Sequence, residues 1–132
     1  MFPLLFSWLL SAVVLAQEQP TILQPLPQQQ GQQIALIWLQ GNSIPAEAYV
    51  PPLSQVQAAT DFQLWVGIPS FPNDSPNLSI VGKEIDATLS AMEDMGMSTD
   101  IVFYGGHSEG GAFIQVKGGR ERFAGQGGYI CK

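Results

Sequence analysis

The run Ile101-Val102-Phe103-Tyr104 and the Gly105-Gly106-His107-Ser108-Glu109-Gly110-Gly111 stretch behind it constrain the fold more than any other part of the chain. Four apolar residues in a row read as a buried strand. Gly106, Ser108 and Gly110 then follow at the G-x-S-x-G spacing of a sharp strand-to-helix turn with a serine at its tip. Bulky side chains two residues to either side of that serine would collide as the chain folds back. Glycine at 106 and 110 removes those clashes and leaves the Ser108 hydroxyl exposed above the sheet edge. Gly111 and Ala112 are small enough for a helix to start against the sheet. The competing reading is an ordinary exposed glycine turn. The agreement between the motif and its setting favours a nucleophile elbow.

Upstream, Ile34 to Leu39 is an unbroken apolar run ending at Gln40-Gly41, and Phe62 to Ile68 is a second strand candidate, closed by Pro69. Both read as strands buried on two faces. Pro45 opens a helical stretch that Pro51-Pro52 interrupts, which makes Leu53 to Ala59 a separate or kinked piece. Val81, Ile85, Leu89 and Met92 recur at spacings of four and three, the apolar face of a helix that Gly96 ends. Strand and helix alternating in this rhythm predict an α/β fold, with at least three parallel strands joined by right-handed crossovers. Ligands of such sheets bind outside the carboxyl ends of the strands, where Gly41 and Ser108 both fall.

Four segments are expected. Residues 1–16 read as a secretory signal peptide, apolar from Phe2 to Leu15, with Val14-Leu15-Ala16 as the cleavage site; cleavage would leave Gln17 first. That stretch is short of the roughly 20 residues that span a bilayer, so no membrane span is expected. Residues 17–33 form a Gln/Pro-rich leader, with at most one short edge strand near Thr21-Ile22-Leu23. Residues 34–115 form the α/β domain. Residues 116–132 are a glycine-rich tail of different character, a poor helix and a poor strand.

A net charge of −6 and only five Lys and Arg argue against nucleic acid binding. No cofactor and no metal site are expected. Cys131 is the single cysteine, so no internal disulfide can form. Asn73-Asp74-Ser75 and Asn77-Leu78-Ser79 are N-glycosylation sequons in a Pro-rich loop, which fits a secreted chain. Secreted localisation is the expectation.

His107 is the only histidine, and none follows Ser108. Adjacent side chains around a tight elbow point apart, so His107 is expected to pack beside the turn rather than serve Ser108 as a base. Acyl transfer also needs N–H donors aimed at the developing oxyanion. The backbone of Glu109, directly after the serine, is one candidate. The other lies in the loop after the first long strand, at Asn42 or Ser43.

With Trp38-Leu39-Gln40-Gly41-Asn42 as oxyanion loop and Gly105 to Gly111 as elbow, the chain resembles the α/β-hydrolase family, in its secreted lipase/esterase and dienelactone-hydrolase-like branches. The resemblance covers about Gln33 to Gln115. It implies a parallel sheet of the α/β-hydrolase type, truncated after the elbow strand and the start of the next helix. It also implies hydrolysis of a small-molecule or lipid carboxylic ester through an acyl-Ser108 intermediate. In the family His-Gly usually ends the strand before the oxyanion loop, and Gln40 stands here in place of the histidine. The family's later Asp or Glu and His have no counterparts in this chain. Two expectations follow: an elbow strand left as an unpaired edge, and a chain inactive on its own. The alternative is a secreted binding protein that keeps the fold without catalysis.

Overall fold

The computed structural model describes residues 18–118 and 129–131. Five strands, β1 (Thr21–Leu23), β2 (Gln33–Leu39), β3 (Gln63–Ile68), β4 (Val102–Gly106) and β5 (Tyr129–Cys131), form one sheet in the order β1-β3-β2-β4-β5. β1 runs antiparallel to β3, and every other pairing is parallel. Three helices connect them: α1 (Val50–Ala58), α2 (Val81–Asp94) and α3 (Glu109–Gly118). The α/β class and the mostly parallel sheet are therefore observed.

Alternation along the strands divides the core in two. Ala35, Ile37 and Leu39 share one face with Trp65, Val102 and Tyr104, against Val81, Ile85 and Met92 of α2 and Ile114 of α3. Leu36 shares the other with Leu64, Val66 and Ile68, against Leu53 of α1 and Tyr49. Each such side chain withdrawn from water contributes about 1.5–3 kcal/mol. Apolar surface on both sides explains why β2 and β3 read as largely apolar stretches rather than alternating ones.

Pro51 and Pro52 begin α1 instead of breaking it. They occupy its first turn, where an N–H has no intrahelical acceptor to lose, and a 3-10 turn over Ala46–Tyr49 leads in. α2 ends where expected: Gly96 adopts φ +107°, and the Met97 N–H reaches back to the Met92 carbonyl at 3.0 Å.

The expected segment boundaries shift at both ends. The Gln/Pro stretch belongs to the domain, because β1 pairs with β3 at the sheet edge and Gln29 is buried. The Gln29 amide donates to the Gln57 carbonyl at 2.6 Å, and the Gln57 amide donates to Gln24 and Leu64 carbonyls. At the other end α3 runs to Gly118, past residue 115. Tyr129–Cys131 pairs in parallel with β4, so the elbow strand has a neighbour on each side and the expectation of an unpaired edge is corrected. A three-residue strand needs little intrinsic propensity when an open ladder of donors and acceptors already lies beside it. The signal-peptide reading of residues 1–16 lies outside the described residues. Among the described residues no helix is long and apolar enough to cross a membrane.

Candidate functional site

The register of β2 against β4 places the site. Leu39 is paired with Gly106, and the His107 N–H extends the ladder to the Leu39 carbonyl at 3.0 Å. Two parallel strands about 4.8 Å apart thus end at the same level. Gly41-Asn42 and Ser108-Glu109 leave the sheet side by side.

Ser108 has φ 53°, in the left-handed region that a non-glycine residue enters at a cost of about 1–2 kcal/mol. Its carbonyl accepts the Ala112 N–H at 3.0 Å, so the helix starts at once. The flanking glycines answer to two different contacts. A Cβ at Gly106 would lie 2.6 Å from the Gly111 nitrogen, whereas one at Gly110 would run into the Leu39 carbonyl oxygen. Gly106 lets the chain turn, and Gly110 lets α3 sit against the end of β2. The Ser108 side chain is exposed and hydrogen-bonds to no described residue.

The loop after β2 is held at three points. The Gly41 N–H donates to the Tyr49 hydroxyl at 2.8 Å, and that hydroxyl lies 3.0 Å from His107 Nδ1. Tyr49 is buried, and its ring also meets that of Trp38 at 6.1 Å between centroids. Tyr49 Oη thus accepts from Gly41 and shares a hydrogen bond with His107 Nδ1. That bond ties His107 to the loop, and no described hydrogen bond joins it to Ser108. Further on, the Ser43 N–H donates to Ser75 Oγ at 3.2 Å, and Ser75 Oγ donates to Asn42 Oδ1 at 2.6 Å. With Gly41 and Ser43 taken, the Asn42 N–H is left with no acceptor among the described residues. So is the Glu109 N–H, at the start of α3, where helix geometry provides none.

Three buried side-chain polar atoms lack partners among the described residues: Trp38 Nε1, Gln40 Oε1 and Glu109 Oε2. All three belong to the end of β2 or the first residue of α3. Buried polar groups left unpaired are uncommon in folded proteins. A cavity of about 300 Å³ opens beside the loop at the carboxyl ends of β2 and β3, against Gln40, Ala46, Ile68 and Pro69.

The structure thus brings Ser108, Glu109, Gly106, Gly110 and Asn42 into one corner. Asn73 and Asn77 lie in the loop between β3 and α2, both exposed. Asn73 adopts φ 56°, and Asn77 Oδ1 accepts from the Ser79 N–H and hydroxyl at 2.8 and 2.7 Å. Among the described residues no group of His, Cys, Asp and Glu could hold a metal ion. Tyr49 and Ser75 were not among the sequence candidates. Their hydroxyls act across 58 and 33 residues of chain, and no local motif marks such a contact.

No family model and no curated protein matches the chain. Among solved structures it is similar to AqDC, described as recognising the Pseudomonas quinolone signal (PQS) and cleaving its ring. The two share 14% identity at a TM-score of 0.54, over 86% of this chain and 42% of AqDC. The complex of AqDC with its product gives a TM-score of 0.51 at the same identity, over 80% and 38%. Likeness at that identity shows a shared fold alone. The chain spans about two-fifths of the length of those structures.

Proposed function

We propose that this corner is the nucleophile and oxyanion half of an α/β-hydrolase-type site on a secreted chain, acting on carboxylic esters of small molecules or lipids. Ser108 at φ 53° between the two glycines is the observation that carries the reading. A strained serine with no bond to hold it there is best explained by use of its hydroxyl. The unclaimed Asn42 and Glu109 N–H groups support it, one from the residue after the nucleophile and one from the loop after an upstream strand. Ser108 Oγ would attack the ester carbonyl carbon, with the oxyanion received by those two donors. The alcohol leaves, and water then releases the acid from acyl-Ser108. The proton of Ser108 needs a base, and His107 is bonded to Tyr49.

Supplying that base from solution tests the reading. An alkyl fluorophosphonate reacts with serine as Oγ bonds to phosphorus, fluoride leaves and the hydroxyl proton passes to a base. With added imidazole as the base, Ser108 should be labelled at a rate rising with imidazole, and the Ser108→Ala chain should not be labelled. No labelling of Ser108 at any imidazole concentration, or labelling that spreads over other serines, would overturn the reading. The commitment of His107 to Tyr49 also favours a second reading, a binding protein of the same fold without catalysis. Transcript sequence downstream of the Lys132 codon separates the two: a late Asp and His favour the enzyme, and their absence favours the binder.

A further inference from the structure

The loop between β3 and α2 carries an unusual backbone. Asn73 and Asp74 both adopt left-handed conformations, at φ 56° and 54°, and Ser43 in the facing loop does so at φ 58°. Asn and Asp enter that region more readily than other residues, so Ser43 is the one of the three whose conformation costs most. The contact they produce is small and specific. Ser75 Oγ donates to Asn42 Oδ1 at 2.6 Å and accepts the Ser43 N–H at 3.2 Å, so one hydroxyl grips the side chain of one residue and the backbone of the next. The Ser75 backbone is itself tied down through its N–H to the Pro72 carbonyl at 3.2 Å.

Resting on the proposed function, we infer that Ser75 is a positioning residue for the oxyanion site. It orients Asn42, whose N–H stays unclaimed, through its two hydrogen bonds to the Asn42 side chain and the Ser43 N–H. Tyr49 anchors the near end of the same loop through Gly41, and Ser75 anchors the far end. A donor must lie within about 2.7–3.1 Å of where the oxyanion forms. Without the far anchor, the peptide between Gly41 and Asn42 is free to turn its N–H away. Ser75 is also the hydroxyl residue of the Asn73 sequon, so its substitution needs a control that removes the sequon alone.

The test measures imidazole-supported fluorophosphonate labelling of Ser108 in the full chain, separating the limiting rate from the half-saturating reagent concentration. Ser75→Ala should lower the limiting rate about tenfold, short of the roughly 10²–10³ that loss of a whole oxyanion donor costs. Half-saturation should stay unchanged. Ser75→Thr keeps the hydroxyl and should restore the rate, and Asn73→Asp, which removes only the sequon, should leave it native. Asn42→Ala removes the other side of the grip, so combining it with Ser75→Ala should cost no more than either alone. Thermal unfolding of each variant identifies any loss due to misfolding. If Ser108 labels normally while Ser75→Ala matches the native rate, or Thr fails to rescue, the positioning role is overturned and the nucleophile reading stands. If imidazole supports no labelling in the native chain, both fall.

Discussion

Ser108 is held at φ 53° where glycine would sit without strain, and that cost can be measured. Relief of a left-handed side chain is worth about 1–3 kcal/mol, offset by about 0.5–1 kcal/mol for the greater freedom of an unfolded glycine. Ser108→Gly is therefore expected to stabilise the fold by about 1 kcal/mol, read as a higher urea midpoint at unchanged slope, whereas Ser108→Ala should show no gain. A glycine variant no more stable than native would mean the serine is at ease there, and the functional explanation of its conformation would lose its basis. What was legible at this scale follows the reach of the physics. Gly106 and Gly110 could be picked out because the clashes they avoid arise within a few residues of the turn or at a strand end the motif implies. Between Asn42 and Ser43 the sequence could not choose. The choice depends on which N–H Ser75 takes, a contact made by a different loop.

At the scale of elements, strands and helices announced themselves where burial sets the pattern. β2, β3 and β4 are apolar runs because both faces are covered, and α2 shows its apolar face because only one is. β5 was missed for the complementary reason: its pairing comes from the open edge of β4 rather than from its own glycine-rich surroundings. One packing contact was invisible in the sequence. α2 lies so close to β3 that a Cβ at Gly67 would come 2.6 Å from Thr88 Cγ2 and 2.7 Å from Met92 Sδ. Gly67→Ala should thus destabilise the fold by about 1–3 kcal/mol, the usual cost of overpacking. Thr88→Ser removes the nearer methyl, so the double variant should recover part of that loss in a denaturation-based cycle. Strict additivity of the two changes would show that α2 is not seated on Gly67 as described.

Taken as a whole, the molecule brings Ser108 and the unclaimed Asn42 and Glu109 N–H groups to the level where parallel strands end, yet bonds its only histidine to the loop beside them. Catalysis by a serine requires a base within hydrogen-bond reach of its proton, and no described residue is bonded to the Ser108 hydroxyl. Serine hydrolases stripped of triad members retain about 10³–10⁴ over water from binding and the oxyanion hole. That remainder does not depend on Ser108 as nucleophile. The 132-residue chain, assayed without added base, is accordingly expected to hydrolyse a p-nitrophenyl ester no faster than its Ser108→Ala variant. Imidazole should separate the two, because it supplies a base within reach of the Ser108 proton. Turnover clearly above the Ser108→Ala control in plain buffer would show that Ser108 is activated from within the protein. His107→Gln would then identify the source: turnover lost with that change would point to His107 as the base, and unchanged turnover would point to a second chain.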